Sequence, residues 1–344
     1  MEFGEVPVRD GEGAILAHSL AIEGGRLRKG ALLTFADLDR LAAAGHDRIW
    51  IARPDPEDVG EDAAAQALAE ALVPDPEAQG LRIGAAGTGR VNLFAQTAGI
   101  VEIDPGAIGR INAIDPMITV ATVPEWYRLD PGGMAATIKI ISYAVPKTAL
   151  AAACTAAEGA LRLRPAACRT AALIETEVGA PLGDKGRRAL ELRVNRLGVD
   201  LAEYRIVPHA VEDLAAALTR AEADVLFILT GSATSDLQDT APQALRAAGG
   251  TVERFGMPVD PGNLLFTGAL EGRPVIGLPG CARSPALNGA DWVLERVLCG
   301  VTVGTEEIAA MGVGGLLKEM PSRPAPRLGR KTLQRDEVTG DGLV

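Results

Sequence analysis

Apolar positions change their spacing along the chain, and this change divides it into predicted parts. Residues 1–78 combine short apolar runs with two helical patterns, Phe35–Ala44 and about Glu61–Leu72, and are predicted to form a small α/β unit. Residues 79–165 hold β-branched runs such as Gly99–Ile103, separated by Gly and Pro. These runs predict a compact β-rich domain that ends in a connecting helix.

The segment 166–300 alternates predicted strands with predicted helices. Asp224–Leu229 is continuously apolar, as a strand buried on both faces requires, and Leu190 and Val194 lie one helical turn apart. The alternation predicts a doubly wound, three-layer α/β/α domain with a mainly parallel sheet. Residues 301–344 are predicted to be a C-terminal extension that ends in a flexible tail, because prolines are followed there by mixed charges.

Composition and charge limit the classes of partner. The formal net charge is −11, so the chain lacks the broad positive field that attracts nucleic acid. An anionic ligand is therefore expected to be held locally, by backbone N–H groups and a few Lys or Arg. The four cysteines form no CxxC motif, and we predict neither a zinc site nor a disulfide framework. No signal peptide and no membrane-spanning run is apparent, which predicts a cytoplasmic protein with no membrane partner.

Three loops are predicted to form the ligand site, because ligands of open α/β sheets bind beyond the carboxyl ends of the strands. The loops follow Ile174, Leu229 and Ile276. The second, Thr230–Asp239, begins with small and hydroxyl-bearing residues, as a loop that presents N–H groups to a phosphate requires. Asp239 by itself is better explained as the cap of the helix that follows.

Together the loops resemble the molybdopterin-binding domain (MoaB/Mog domain) shared by the Mog adenylyltransferases and the MoeA/gephyrin molybdenum insertases. The segments that carry the resemblance, in chain order, are Glu175–Val178, Asp184–Gly186, Thr230–Asp239, Asp260–Leu264 and Leu278–Ser284. A proline-glycine hairpin that precedes Leu-Pro-Gly favours the insertase branch over the Mog branch. The chain is also similar to the molybdopterin-binding halves of cofactor nucleotidyltransferase fusions.

The resemblance implies a ligand, a reaction and a role for individual residues. The ligand is molybdopterin or Mo-molybdopterin, and the reaction is Mg²⁺-dependent cleavage of adenylated molybdopterin with molybdate insertion. Asp239 and Glu177 would hold the Mg²⁺, and Asp184 would be a third catalytic residue near them. The residues implied to bind the pterin and its phosphate are Thr230, Gly231, Ser232, Thr234, Pro261, Gly262, Leu278, Pro279, Gly280, Cys281, Arg283 and Ser284.

Several positions depart from the family pattern. Asp260 and Asn263 stand where the family has lysines, Ser232 stands for the second glycine of the phosphate loop, and Gly186 stands for the asparagine of the helix-opening motif. The loss of two positive charges near an anion site weakens retention of phosphate and molybdate. We expect Arg283 and Lys185 to compensate in part.

Three hypotheses follow for the function. The first is an enzyme of molybdenum-cofactor maturation, a molybdopterin molybdotransferase-like protein, and the retained Asp239 and Glu177 favour it. The second is a non-catalytic carrier that presents finished cofactor to a nucleotidyltransferase or a molybdoenzyme, and the lost lysines favour it. The third is a CinA-type nucleotide pyrophosphatase, whose phosphate motif is poorly matched by Thr230–Asp239. Assembly as a homodimer is also expected.

Overall fold

The computed structural model describes residues 1–179 and 183–317, so the predicted tail, residues 321–344, lies outside the described residues. The chain divides into two compact units. The first contains Met1–Thr170, Arg193–Asp200 and Glu295–Thr302. The second contains Ala171–Leu192, Leu201–Leu294 and the described residues from Val303 onward. No described helix is both long enough and apolar enough to cross a membrane.

The first 53 residues build a small sheet and one helix. Their elements are β1 (Glu2–Pro7), β2 (Ile15–Leu16), β3 (Leu20–Ile22), β4 (Gly25–Leu27), α1 (Phe35–Ala43) and β5 (Arg48–Arg53). The sheet order is β1-β5-β2, and β3 pairs with β4. Helix α1 begins where Thr34 and Asp37 each accept a hydrogen bond from the other's backbone N–H group, the capping box that satisfies the free N–H groups of a helix start.

The following hundred residues form two further sheets with three helices. Their elements are β6 (Asp58–Gly60), α2 (Glu61–Leu72), β7 (Leu81–Ile83), β8 (Arg90–Ala95), β9 (Gly99–Ile103), α3 (Pro105–Ile114), β10 (Ile118–Thr122), β11 (Arg128–Leu129), β12 (Met134–Ile140), β13 (Ala144–Pro146), α4 (Lys147–Ala157) and β14 (Leu161–Arg164). The sheets have the orders β10-β12-β8-β7 and β11-β9-β14, and β13 pairs with β6.

Two helices of this region differ from the sequence prediction. Helix α2 was predicted within residues 1–78, but its buried residues Leu68 and Leu72 share one apolar cluster with Leu81 and Leu93 of the β-rich segment. Helix α3 was not predicted at all. Asp104 caps it by accepting a hydrogen bond from Ala107 N–H at 3.0 Å, and a proline occupies its first turn, both ordinary signals of a helix start.

The second unit is built around one six-stranded sheet. The elements that lie wholly or mostly in this unit are β15 (Thr170–Glu177), α5 (Lys185–Asn195), β16 (Asp200–Pro208), α6 (Val211–Thr219), β17 (Val225–Leu229), α7 (Thr240–Ala247), β18 (Thr251–Phe255), β19 (Phe266–Leu270), β20 (Arg273–Leu278), α8 (Gly289–Leu298) and α9 (Thr305–Ala310). The strand order is β16-β15-β17-β20-β19-β18. All five residues of β17 are buried, which confirms the strand predicted from the apolar run. The mixed α/β class predicted from the sequence is confirmed.

The sheet is parallel at its centre and antiparallel at one edge. Strands β15, β17 and β20 run parallel, whereas β19 is antiparallel to both β20 and β18. The edge arises from a two-residue turn, Glu271-Gly272, in which both residues have positive φ angles, 51° and 79°. Such a turn connects antiparallel neighbours directly and leaves no room for a crossover helix.

Candidate functional site

The carboxyl ends of three neighbouring parallel strands are aligned in the second unit. Glu175 of β15 pairs in register with Leu229 of β17, and Leu229 pairs with Leu278 of β20. Thr176, near the end of β15, and Thr230, directly after β17, therefore lie at the same edge of the sheet. This edge is where ligands of open parallel sheets bind.

Thr176 connects the first and second loops. Its Oγ1 accepts a hydrogen bond from Gly231 N–H at 3.0 Å and lies 2.7 Å from Nδ1 of His209, which follows β16. Gly231 is packed so closely that a Cβ added to it would lie 2.6 Å from the Thr176 carbonyl oxygen. The N–H group of Gly231 is thus engaged within the protein, whereas the sequence had assigned Gly231 to the phosphate cradle.

The next residues of this loop carry free donors. Thr230 Oγ1 donates to the Ser232 carbonyl at 2.5 Å and lies 3.2 Å from Thr234 Oγ1, which holds the loop in a tight turn. Within residues 1–179 and 183–317, the N–H groups of Ser232, Ala233 and Thr234 have no hydrogen-bond acceptor. Ser232 and Ala233 are exposed. Consecutive N–H groups of this kind can receive an anion. We call residues 232–234 the N–H cradle.

Arg283 links the third loop to the second. It ends the short 3₁₀ turn Gly280–Arg283 that follows β20, and its Nη2 donates to the Thr230 carbonyl at 2.9 Å. The side chain is part-exposed, with 29% of its surface accessible. A guanidinium has five N–H donors, so Arg283 retains donors beyond this bond. It is a cation at the strand edge that the sequence predicted to bind the ligand.

The other predicted residues of the third loop differ in their burial. Leu278 and Pro279 are buried, whereas Gly280, Cys281 and Ser284 are exposed. The exposed ones lie within three residues of Arg283 in the chain.

Glu175 is a buried carboxylate that the choice of site residues missed. Its side chain is 1% exposed, and Oε2 accepts a hydrogen bond from the Tyr204 hydroxyl at 2.8 Å. Its Oε1 has no hydrogen-bond partner among the described residues, and the nearest cation is Arg283, with Nη2 at 3.8 Å. Burial and this bond raise the pKa of Tyr204 to about 12, so the hydroxyl stays protonated and remains a donor.

The three acidic residues predicted to be catalytic are not gathered into a metal site. Asp239 caps α7, and its two oxygens accept from Thr240 N–H at 2.7 Å and Ser235 N–H at 3.0 Å. Asp184 is ion-paired with Arg188 at 2.7 Å. Glu177 is exposed. No group of three or more His, Cys, Asp or Glu that could hold a metal ion occurs in the described part of the chain.

The predicted proline-glycine hairpin lies against the start of α8. The Pro261 carbonyl accepts a hydrogen bond from Gly289 N–H at 2.8 Å, and a Cβ added to Gly262 would lie 2.9 Å from the Gly289 backbone. Among the residues that the structure describes, no hydrogen bond joins Pro261 or Gly262 to Thr230–Thr234. The geometry thus connects the first three loops to one another and gives this hairpin a packing role.

A matched pair of threonines tests the bond that connects the first two loops. Thr176→Val removes the acceptor of the Gly231 N–H group, so we expect the free energy of unfolding to fall by about 1–3 kcal/mol. Thr267 lies in the same sheet and is also buried, but its Oγ1 has no hydrogen-bond partner among the described residues. Thr267→Val should therefore be neutral or stabilising. Urea unfolding of both variants measures the difference, and equal losses would contradict the role given to Thr176.

Models of known protein families match two segments of the chain. Residues 5–53 match a family described as a domain of unknown function, DUF8806. Residues 179–298 match a family described as a probable molybdopterin binding domain. No curated protein sequence matches the chain. Among solved structures, a molybdopterin biosynthesis MoeA protein from Pyrococcus horikosii aligns at 16% identity and a TM-score of 0.29, over 86% of this chain and 75% of that one. The family model confirms the resemblance read from the loop motifs: residues 179–298 match the probable molybdopterin binding domain family.

Proposed function

We propose that this protein binds molybdopterin through its terminal phosphate, in the biosynthesis or delivery of the molybdenum cofactor. The observation that carries the proposal is the N–H cradle, whose free donors lie at the carboxyl ends of the parallel strands beside a part-exposed guanidinium, Arg283. Local donors are the means by which an acidic chain can hold a phosphate. The family match of residues 179–298 supplies the class of ligand.

The pterin itself is expected to lie over the third loop. Gly280, Cys281 and Ser284 are exposed and follow the strand that ends at Leu278. They are close in sequence to Arg283, which is hydrogen-bonded to the second loop. A ligand whose phosphate occupied the N–H cradle would therefore extend its ring towards these residues.

Of the two leading hypotheses, the carrier is favoured by the state of the acidic residues. Both Asp239 oxygens are engaged by backbone N–H groups, and Asp184 is engaged by Arg188. Mg²⁺ is usually held by one or two carboxylates together with waters and substrate phosphates. Of the three predicted acidic residues, only Glu177 has no side-chain partner among the described residues. We therefore derive no metal-dependent cleavage step and propose that the chain holds cofactor for a partner, a nucleotidyltransferase or a molybdoenzyme.

The binding mode is tested by removing the phosphate from the ligand. Oxidation of molybdopterin gives a fluorescent pterin that keeps its phosphate, and phosphatase treatment yields the matched control without it. We expect the dephosphorylated form to bind at least about tenfold more weakly, because it loses the charge-assisted hydrogen bonds of the cradle. Fluorescence anisotropy measures both affinities. Equal affinities would contradict binding through the phosphate.

Asp239→Asn distinguishes the carrier from the enzyme. Asparagine keeps one accepting oxygen and replaces the other by an NH₂ group, so one of the two bonds, from Thr240 N–H or from Ser235 N–H, is lost at a cost of about 1 kcal/mol. For a carrier, neither wild type nor variant should release AMP from adenylated molybdopterin, with or without Mg²⁺. AMP release by wild type that requires Mg²⁺ and disappears in the variant would establish enzymatic cleavage and contradict the carrier function proposed above.

A further inference from the structure

The buried carboxylate of Glu175 is the feature of the second unit that the proposed function leaves unexplained. A buried charge is costly unless it is paired and hydrogen-bonded, and an unpartnered buried oxygen calls for a physical reason. Here one oxygen is held by Tyr204 and the other, Oε1, has no hydrogen-bond partner within the described residues. The cation nearest to Oε1 is Arg283, at 3.8 Å, beyond hydrogen-bond distance.

The surroundings of Oε1 are shaped to accommodate a carboxylate. Gly186, in the first turn of α5, lies so close that a Cβ added to it would be 2.3 Å from Oε1. This is the position at which the family pattern has asparagine, whose side chain the carboxylate would exclude. The glycine at 186 and the glutamate at 175 are thus sterically matched.

The same guanidinium contacts both this carboxylate and the phosphate loop. Arg283 Nη2 donates to the carbonyl of Thr230, which lies two residues before the N–H cradle. The same Nη2 atom lies 3.8 Å from Glu175 Oε1. A long arginine side chain loses considerable rotamer freedom when it is fixed. A fixed negative charge behind the guanidinium reduces the number of orientations it adopts before an anion arrives, and preorganisation of this kind raises affinity.

We infer that Glu175 is a positioning residue for phosphate binding: its buried carboxylate holds the Arg283 guanidinium beside the N–H cradle, and Arg283 then donates to the phosphate. The inference rests on the proposed function, because it assigns a residue behind the same anion site.

The direction in which Glu175→Gln changes the affinity for phosphate distinguishes a positioning role from a simple electrostatic one. Glu175→Gln removes a negative charge near the site and keeps an acceptor for Tyr204. If the carboxylate acted only through its charge, phosphate would bind more tightly to the variant. If it positions Arg283, phosphate should bind about tenfold more weakly. The probes are inorganic phosphate, by calorimetry, and the fluorescent phosphorylated pterin, by anisotropy, both with the full-length chain.

A double-mutant cycle completes the test. In an Arg283→Gln background, Glu175→Gln should change affinity by less than about twofold, because the residue it positions is gone. Glu212→Gln, an exposed glutamate in the first turn of α6, is the matched control and should leave affinity unchanged. If Glu175→Gln does not fold, Tyr204→Phe replaces it in the cycle, since it frees Oε2 without changing the charge of the carboxylate.

The outcomes are distinct. Weakening that depends on Arg283 supports the inference. Unchanged or tighter binding by the Glu175 variant overturns the inference and leaves the proposed function standing. Equal weakening in the wild-type and Arg283→Gln backgrounds does the same, because it indicates a merely structural role for Glu175. Wild-type protein that binds neither probe overturns the proposed function together with the inference.

Discussion

Replacing Gly231 with valine should abolish retention of the pterin, with an affinity loss of about 100-fold or more, because the cradle that follows residue 231 would lose several charge-assisted hydrogen bonds. The cause is steric. A Cβ at position 231 would lie 2.6 Å from the Thr176 carbonyl oxygen and 3.2 Å from the Val178 nitrogen, so the loop must move away from β15. Overpacking of this kind also lowers the free energy of unfolding by about 1–3 kcal/mol.

The control for this variant is the same change, glycine to valine, at a position where the added side chain has space. A Cβ added to Gly4, in strand β1, meets nothing within 4 Å, and valine suits a strand. Gly4→Val should therefore bind pterin as wild type does. Anisotropy with the fluorescent phosphorylated pterin gives the affinities, and thermal unfolding shows that the Gly231 variant remains folded at the assay temperature. A folded Gly231→Val protein with wild-type affinity would exclude the loop as the phosphate site.

Replacing Gly186 with asparagine, the residue of the family pattern, should destabilise the second unit by about 3 kcal/mol or more. The new Cβ would lie 2.3 Å from Glu175 Oε1 and 2.6 Å from Leu229 Cδ2. The leucine methyl can move aside, but the carboxylate is held by Tyr204 and has no accessible space around it. Displacing it would break a buried charged hydrogen bond. Urea unfolding followed by circular dichroism measures the loss.

Two further variants show whether Glu175 is the cause. Gly183→Asn makes the same change three residues earlier, where an added Cβ meets nothing within 4 Å, and should be tolerated. Glu175→Ala removes the obstacle, so the Glu175→Ala/Gly186→Asn double variant should be more stable than the sum of the two single changes predicts. Additive losses would show that the clash with Glu175 does not determine the choice of glycine.

Sequence patterns were sufficient for the centre of the second unit because local and global requirements agree there. The apolar run Asp224–Leu229 became the fully buried strand Val225–Leu229, and helix α7 begins directly after its capping residue Asp239. The antiparallel edge was not predicted, because the Glu271-Gly272 turn lacks the Asn or Asp that usually indicates such a hairpin.

The candidate site was predicted only in outline, because its bonds depend on neighbours that are distant in sequence. Glu175 and Thr176 were assigned to the first loop but not chosen as site residues, whereas the structure places them in β15 and the sheet brings their partners Tyr204 and Gly231 to them. Asp239 shows the reverse: its position after a phosphate loop suggested a catalytic role, while the structure engages both its oxygens in local backbone bonds. A polar residue within a buried strand was therefore a better indicator of a site residue than an acidic residue after the phosphate loop.

The pterin content of the purified wild-type protein is the most direct test of the account. The full-length chain, produced in a host that synthesises molybdopterin and purified without added ligand, is denatured and oxidised, and the fluorescent pterin released is counted per chain. Binding through the N–H cradle and Arg283 predicts a content that approaches one per chain for wild type and falls to background for Gly231→Val. A wild-type content at background, in protein that is folded and supplied with molybdopterin, would contradict the proposed function.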